Sequence, residues 1–227
     1  MHRHNIQTID IEQSDYSSLY HAMQGYTQKR EASTHDLIIL TEHTPVYTLG
    51  PTSQQSDILQ QLTDVPYVQT NRGGQITFHG PGQLVVYPLL DLRRLGLKPH
   101  AFVSMLEHII IEVLSQLDIS SYNDPSARGI YVTGKKIASI GIRVSKGCSY
   151  HGFALNVSTD LKYFNHIHPC GLQAMQMINV NELSRCDMTK IKNLIIKAFK
   201  YALESCTQVQ IDISPGEDKL ILSYEHG

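Results

Sequence analysis

The chain has 227 residues, four cysteines and a formal charge of −2 at pH 7. A nearly neutral chain lacks the basic field that general nucleic-acid binding requires, which argues against that class of function. No run reaches the roughly 18 apolar residues of a transmembrane helix, and the N-terminus does not resemble a signal or transit peptide. We therefore expect a cytoplasmic protein with reduced thiols, away from membranes, folded as one domain over residues 1–227.

The first part of the chain predicts two strands around a helix. Residues 6–11 alternate between apolar and polar side chains, which is typical of a strand. Apolar residues then recur at helical spacing over residues 16–26, and Asp15 can cap the free N–H groups of that helix. Residues 36–40 form an apolar run that predicts a buried strand, and we expect residues 46–50 to resume it.

Two more strands are predicted at residues 67–70 and 84–90, on either side of a glycine-rich segment. Pro99, which suits the first position of a helix, opens a segment with a long apolar stripe. A second such helix begins near Asp187, and residues 209–224 are expected to supply a short terminal strand.

A β-meander is predicted between those two helices. Its strands are residues 129–133, 137–144 and 150–157, and its turns lie at Gly134–Lys135 and at residues 145–147. Strands thus cluster between a few long helices rather than alternating strictly with them. This order favours an α+β fold in which helices pack on a mixed sheet.

The glycine-rich segment, residues 72–83 (RGGQITFHGPGQ), places four glycines and a proline between two strands. Glycine permits positive φ and lets the backbone approach a ligand closely. Arg72, Thr77, His79 and Gln83 add polar groups, so we interpret the segment as a flexible substrate loop. The alternative is a structural loop with incidental polar residues. The segment matches neither a Walker A loop nor a Rossmann fingerprint.

Lys136 lies just after a predicted turn, in a segment that is otherwise small and apolar. A lysine that points inward from such a strand would be partly desolvated, and burial lowers the pKa of an amine. The alternative is that Lys135 and Lys136 are ordinary solvated charges of a hairpin.

Cys170 is the cysteine most suited to chemistry, because it lies between Pro169 and Gly171. Proline fixes the entry angle, and glycine leaves room for a substrate. A thiol is inert unless it ionises, and a nearby cation lowers its pKa. The other three cysteines are expected to be small buried apolar residues: Cys148, Cys186 and Cys206.

His166, His168 and Cys170 would share one face if they lay in a strand, where they could bind a metal ion. No second cluster of ligands with compatible spacing is evident, and we expect both histidines at the surface and no metal or other cofactor. Residues 151–156 (HGFALN) alternate small and bulky side chains. The shallow face suits a groove for an acyl chain, or close packing against a helix.

Three motifs together resemble the octanoyltransferase family of lipoate biosynthesis, also called lipoyl(octanoyl) transferases. They are residues 72–83 continuing to Tyr87 and Pro88, residues 134–141 (GKKIASIG), and residues 151–156 leading to Pro169, Cys170 and Gly171. The order and spacing of all three match that family over roughly residues 36–180. Asn71 and residues 173–179 fit its pattern only loosely.

The resemblance implies the catalytic-domain fold of the biotin/lipoate protein ligases and an acyltransferase activity. It implies transfer of an octanoyl group from octanoyl-acyl carrier protein to a specific lysine of a lipoyl domain. The acceptors would be the lipoyl domains of 2-oxoacid dehydrogenase complexes and the glycine cleavage H protein. Cys170 matches the residue that carries the acyl thioester, and Lys136 matches the lysine that lowers the pKa of that cysteine.

The resemblance also implies a set of substrate-binding residues. They are Arg72, Gly73, Gly74, Gln75, Ile76, Thr77, Phe78, His79, Ser139, Ile140, Gly141, Gly152, Phe153 and Ala154. Basic residues proposed to meet an acidic carrier protein are Arg93, Arg94, Arg128, Arg143 and Lys146.

Three other functions stay open at this point. One is an ATP-dependent lipoate or biotin ligase on the same scaffold, which would need no cysteine nucleophile. Another is a non-catalytic module that binds carrier proteins, and the third is a metal-dependent hydrolase. We expect a monomer.

Overall fold

The computed structural model describes residues 3–125, 127–169, 175–207 and 209–224. The strands in this part of the chain are β1 (Arg3–Ser14), β2 (Asp36–His43), β3 (Val46–Leu49), β4 (Tyr67–Gln69), β5 (Thr77–His79), β6 (Gln83–Leu89), β7 (Tyr122–Asn123), β8 (Ile130–Val132), β9 (Lys135–Ser145), β10 (Cys148–Asn156) and β11 (Gln210–Pro215). The helices are α1 (Tyr16–Gln28), α2 (Pro99–Ser115), α3 (Met188–Thr207) and α4 (Lys219–Leu222).

The described strands form two sheets. The larger has eight strands in the order β11-β1-β2-β6-β10-β9-β8-β7. In it, β1 pairs in parallel with β2 and β11, and the other neighbours pair antiparallel. The smaller sheet has the order β4-β3-β5. The predicted α+β fold with a mixed sheet and packed helices is confirmed.

Both faces of the large sheet are covered by helices. In β2, Leu37 and Ile39 pack into a cluster that includes α1, whereas Ile38 and Leu40 pack into a cluster that includes α2 and α3. A strand buried on both faces needs apolar side chains at every position, which explains the unbroken apolar run of its sequence.

The helix starts follow their capping signals. The Asp15 carboxylate accepts a hydrogen bond from the backbone N–H of Ser18 at 2.8 Å, and Pro99 is the first residue of α2. The Asp187 carboxylate likewise accepts from the N–H of Lys190 at 2.6 Å, just before α3. All three predicted starts are confirmed. Within the described residues, no helix combines the length and apolarity needed to cross a membrane.

The structure corrects three local predictions. Residues 46–50 do not resume β2, because β3 belongs to the smaller sheet. Within the glycine-rich segment, Thr77–His79 is a fully buried strand rather than a flexible loop. The β8–β9 turn is Thr133–Gly134, with φ of 47° and 82°, and Lys135 already belongs to β9. Positive φ at both central residues gives the turn a twist that matches the strands.

Candidate active site

A pocket with a free volume of about 50 Å³ lies where the glycine-rich segment meets β9 and β10. Every predicted substrate-binding residue except Ile76 and Phe78 lines it. Four further residues complete its wall: Tyr16, Val85, Tyr87 and His151. Segments that are distant in sequence therefore meet around one cavity.

Arg72 holds the glycine-rich segment in place from within the protein. Its side chain is buried, and Nη2 donates to the backbone oxygen of Thr48 at 2.6 Å and to its Oγ1 at 2.9 Å. Nη1 donates to the oxygen of Gly73 at 3.1 Å, while the Gly73 N–H donates to the oxygen of Ile142 at 3.2 Å. The segment is thus fixed to β3 on one side and to β9 on the other.

Ile76 and Phe78 lie away from the pocket lining. Both are buried in a separate hydrophobic cluster, where the Phe78 ring stacks on Tyr163 with 4.4 Å between centroids. Alternation along β5 explains the difference, because Thr77 and His79 point toward the pocket and Phe78 points to the opposite side. These two residues support the segment rather than line the cavity.

Two neutral histidines lie at the pocket: His79 lines it, and His43 lies behind His79 with 5.9 Å between ring centroids. His43 is fully buried and His79 is nearly so, and burial lowers the pKa of His43 to about 4 and that of His79 well below its usual value. His43 Nδ1 lies 3.1 Å from the backbone oxygen of Ser14, so Nδ1 donates and Nε2 accepts from the Tyr87 hydroxyl at 2.7 Å. Burial raises the pKa of Tyr87 well above its usual value, so this hydroxyl keeps its proton.

Gln83 orients the second of these histidines. Gln83 Nε2 donates to Asn156 Oδ1 at 2.9 Å and to the oxygen of Phe78 at 3.2 Å, which leaves Oε1 as an acceptor. His79 Nδ1 therefore donates to that Oε1 at 2.6 Å. The hydrogen-bond pattern fixes the orientation of the His79 ring, which stacks on Tyr16 with 5.7 Å between centroids.

His151 faces the pocket from an unusual backbone conformation. Its φ is +57° in the middle of β10, a value uncommon for any residue other than glycine. The residue is 1% exposed, and burial, followed by the charge of Arg72, lowers its pKa to about 3. Strained buried residues of this kind cluster at functional sites.

The sequence reasoning missed three polar residues around the pocket: Tyr16, His43 and His151. The helical spacing places Tyr16 on the apolar face of α1, and a tyrosine there also brings a hydroxyl to the core. His43 is the last residue of the buried strand β2, and its place shortly after an apolar run is the available signal for a buried histidine. His151 lies within a recognised motif, but its side-chain direction depends on the left-handed backbone and could not be inferred from alternation.

Lys136 is completely buried, although two adjacent lysines in a hairpin are usually exposed. Its Nζ lies 5.7 Å from the centroid of the Tyr131 ring, within cation–π range. Its backbone N–H donates to the oxygen of Gln176 at 2.8 Å, and its oxygen accepts from the N–H of Ile178 at 3.1 Å. Lys136 does not line the pocket, and lies three residues along β9 from Ser139, which does.

Cys170 and Gly171 lie outside the described residues. Of the other cysteines, Cys148 is buried as predicted, and burial raises its pKa. Cys186 is half-buried, and Cys206 is exposed, so the prediction of a buried residue is wrong for Cys206. The spacing of Cys206 within α3 fits an apolar position, but the last turns of that helix are partly open to solvent.

His166 and His168 do not share a strand face. His166 ends a 3-10 helix, Leu161–His166, and both histidines are half-buried. Within the described residues, no three histidine, cysteine, aspartate or glutamate side chains are grouped closely enough to hold a metal ion.

Comparison with known proteins identifies the family. A family model described as the lipoyl protein ligase A/B catalytic domain matches residues 18–200. The octanoyltransferase of Shewanella halifaxensis is 48% identical over 169 residues, which cover 74% of this chain and 77% of that protein. The octanoyltransferase of Shewanella denitrificans is 46% identical over 181 residues, which cover 78% and 79%. The chain belongs to the octanoyltransferase family. The predicted family and the predicted class of enzyme, an acyltransferase, are confirmed.

Solved structures show the same fold for this octanoyltransferase family member. Lipoate-protein ligase A bound with ATP has a TM-score of 0.75 at 14% identity, covering 100% of this chain and 93% of that one. A bi-partite lipoate protein ligase from Thermoplasma acidophilum has a TM-score of 0.74 at 12% identity, covering 100% and 91%. Biotin protein ligase from Aquifex aeolicus, in complex with biotin and ATP, has a TM-score of 0.56 at 13% identity, covering 89% and 72%. The predicted biotin/lipoate protein ligase fold is confirmed.

Proposed function

We propose that this enzyme transfers an octanoyl group from octanoyl-acyl carrier protein to a lysine of a lipoyl domain, through a thioester on Cys170. Acceptors of this kind occur in 2-oxoacid dehydrogenase complexes and in the glycine cleavage H protein. The proposal depends mainly on one observation: three motifs typical of octanoyltransferases build a common pocket beside the strand that carries the buried Lys136. We further propose that the enzyme acts as a cytoplasmic monomer.

The burial of Lys136 supports a role beside a thiolate. An ammonium group inside a protein is costly unless it meets acceptors or an anion, and a thiolate is such an anion. The backbone of Lys136 is hydrogen bonded to Gln176 and Ile178, shortly after Cys170 in the chain. This pairing ties Lys136 to the segment that follows the proposed nucleophile. We infer that its charge lowers the pKa of the Cys170 thiol.

The reaction has two steps. The Cys170 thiolate attacks the carbonyl carbon of the donor thioester, and the carrier thiolate leaves and takes a proton from the Lys136 ammonium. The neutral amine of the acceptor lysine then attacks the new thioester, its nitrogen gives a proton to the now neutral Lys136 amine, and the Cys170 thiolate leaves, which restores the initial ion pair. A thioester gives an amide without ATP, so positioning rather than driving force limits the reaction.

Each tetrahedral intermediate carries an oxyanion, which backbone N–H groups can stabilise. Strand β9 near Gly141 lines the pocket and is a candidate to supply such a donor. Gly141 pairs with Gly152 of β10, whereas the oxygen of Ile142 points away from β10 toward Gly73. Backbone direction alternates along a strand, so Ile140, which lines the pocket, directs its N–H to the same open side as Ile142. We propose Ile140 as the donor from β9.

Intact-protein mass after mixing with octanoyl-acyl carrier protein tests the proposal. We expect one octanoyl adduct on the wild type, removal of that adduct by hydroxylamine, and no adduct on Cys170→Ala. Cys206→Ala is the matched control, because Cys206 is an exposed thiol that would report unspecific acylation. An adduct that persists in Cys170→Ala would contradict the assignment of the nucleophile. No adduct in any variant, together with ATP-dependent lipoylation, would favour the ligase instead.

A further inference from the structure

The pocket continues into a groove along β9. A first depression of about 310 Å³ shares Ile140, Gly141 and residues 73–75 with the pocket, and reaches Val103 and Arg128. A second depression of about 710 Å³ shares Val103, Arg128 and Ile142 with the first, and ends beside Arg143. An extended molecule can therefore pass from the surface at the two arginines to the pocket. We call the two depressions together the β9 groove.

One wall of the β9 groove is an open sheet edge. β8 pairs with β9 only as far as Ala138, whereas β10 covers the opposite edge as far as Ser145. Beyond Ala138, no described strand pairs with the β8-facing edge of β9, and the Gly73 N–H bonds to Ile142 there. By alternation, Val144 turns its N–H and oxygen to the same side as Ile142. The edge is thus able to hydrogen bond amide groups of an extended ligand.

The outer end of the groove is lined by two arginines, Arg128 and Arg143, and by one carboxylate, Glu107, which accepts a hydrogen bond from Asn123 Nδ2 at 3.0 Å. Neither Arg128 nor Arg143 has a hydrogen-bond or ion-pair partner among the described residues, and both are exposed. By contrast, Arg93 pairs with Asp91 at 3.0 Å, and Arg94 donates to the oxygens of Thr34 and Ala32. Two unpaired guanidinium groups suit an anion, and a phosphate ester in particular.

We propose that the β9 groove binds the phosphopantetheine arm on which a carrier protein presents the acyl group. Its phosphate lies between Arg128 and Arg143, its amides bond to the edge of β9, and its sulfur reaches the pocket. The apolar side chains of Val103 and Val144 contact the aliphatic part of the arm. The assignment rests on the proposed function and names the part of the donor that this surface recognises. A lysine-bearing segment of the acceptor fits less well, because its cation would meet two arginines against the single carboxylate of Glu107.

The test compares donors that differ only in the phosphate. Acyl-enzyme formation is followed by mass with octanoyl-phosphopantetheine and with octanoyl-pantetheine, and the ratio of their kcat/KM values is taken for each variant. We expect the wild type to favour the phosphorylated donor at least about tenfold, which corresponds to about 1.4 kcal/mol. Arg128→Glu and Arg143→Glu should bring the ratio close to one. Lys146→Glu, an equal charge change outside the groove lining, should keep the ratio.

A wild-type ratio of one would overturn the proposal, and so would an unchanged ratio in both arginine variants. A loss that appears only in single-turnover transfer to the lipoyl domain would assign the groove to the acceptor instead. If Lys146→Glu loses the preference for the phosphorylated donor equally, the preference comes from general charge attraction rather than from binding in the groove.

A binding measurement separates this inference from the proposed function. Calorimetric titration of Cys170→Ala with free 4′-phosphopantetheine needs no acyl transfer. We expect binding that weakens about tenfold in either arginine variant. If no acyl-enzyme forms but this binding is seen, the thioester mechanism fails and the groove assignment stands. Absence of binding, with acyl-enzyme still formed, would overturn the groove assignment alone.

Discussion

Nε2 of His151 donates a hydrogen bond to Oδ1 of Asn71, 2.9 Å away. The direction is fixed because Asn71 Nδ2 donates to the Tyr150 hydroxyl at 2.8 Å, which leaves Oδ1 as the acceptor. His151 Nδ1 is therefore an unprotonated acceptor, and it is buried without a hydrogen-bond partner among the described residues. A buried polar atom without a partner costs about 1–3 kcal/mol, so a ligand that donates to it would recover that cost.

Replacing His151 with asparagine tests whether this acceptor serves the reaction. Asparagine tolerates positive φ, which avoids backbone strain, but it loses the hydrogen bond to Asn71, so we expect the free energy of unfolding to fall by about 1–3 kcal/mol. Loss of the imidazole should lower kcat/KM by about tenfold or more. Thr133→Asn is the control for the backbone, because Thr133 has a φ of +47° outside the pocket lining. Full activity in His151→Asn would show that the ring is only structural.

Acid should weaken the fold through the buried histidines. The pKa of His43 is about 4 when folded, against 6.5 for an exposed histidine. Between these values the unfolded chain binds a proton that the folded chain does not, so stability falls as pH decreases through this window. His43 alone contributes a loss on the order of 3 kcal/mol. Urea unfolding from pH 7 to pH 4 should show this loss, and His43→Gln should show a smaller one. An equal loss of unfolding free energy in the wild type and in His43→Gln would contradict the assignment to His43.

Gly129 leaves room for the side chain of Lys136. A Cβ at Gly129 would lie 2.3 Å from Lys136 Cε, and the φ of +146° disfavours any other residue. Gly129→Ala should therefore displace Lys136 and raise the pH at which Cys170 reacts with an alkylating probe. Gly134→Ala has comparable backbone strain, with a φ of +82°, but its Cβ would meet nothing within 4 Å. A change of the same size in Gly134→Ala would show that Lys136 is not involved.

Gly152 is expected to affect the stability of the fold more than the binding of a substrate. A Cβ at Gly152 would lie 1.9 Å from the oxygen of Val86 and 2.8 Å from Pro88 Cδ, so β10 and β6 would have to move apart. We expect Gly152→Ala to lower the free energy of unfolding by about 3 kcal/mol or more. Ala154→Gly changes a neighbouring pocket residue without a clash. A stable Gly152→Ala with raised KM would assign Gly152 to substrate contact instead.

The sequence predicted elements with local signals well. α1 begins after Asp15 and α2 at Pro99 because a cap and a proline act within one helical turn. The meander was also found, since its turns need glycine at fixed places. Local patterns could not predict which strands pair with one another. β3 has the pattern of β2 but pairs with β4 and β5 in another sheet.

The site was predictable to the extent that residues lay in long motifs. Those motifs do meet at one pocket. Where a motif forms a strand, however, the side chains of consecutive residues point to opposite faces of the sheet. Thr77 therefore lines the pocket while Phe78 supports it from behind. The buried histidines were missed because a lone histidine has no pattern of its own. Only the packing of the two sheets brings the ring centroid of His43, in β2, to 5.9 Å from that of His79, in β5.

The position of β1 sets the order in which the large sheet can be completed. Ile6 pairs with Asp36 of β2 on one side and with Ile213 of β11 on the other. During synthesis β2 follows β1 closely, whereas β11 emerges only after the ten other described strands and α1–α3 have been made. Until then one edge of β1 has no partner and can template pairing with other chains. A ribosome that stalls within α3 would therefore release an aggregation-prone chain, although every residue of the pocket had already been translated.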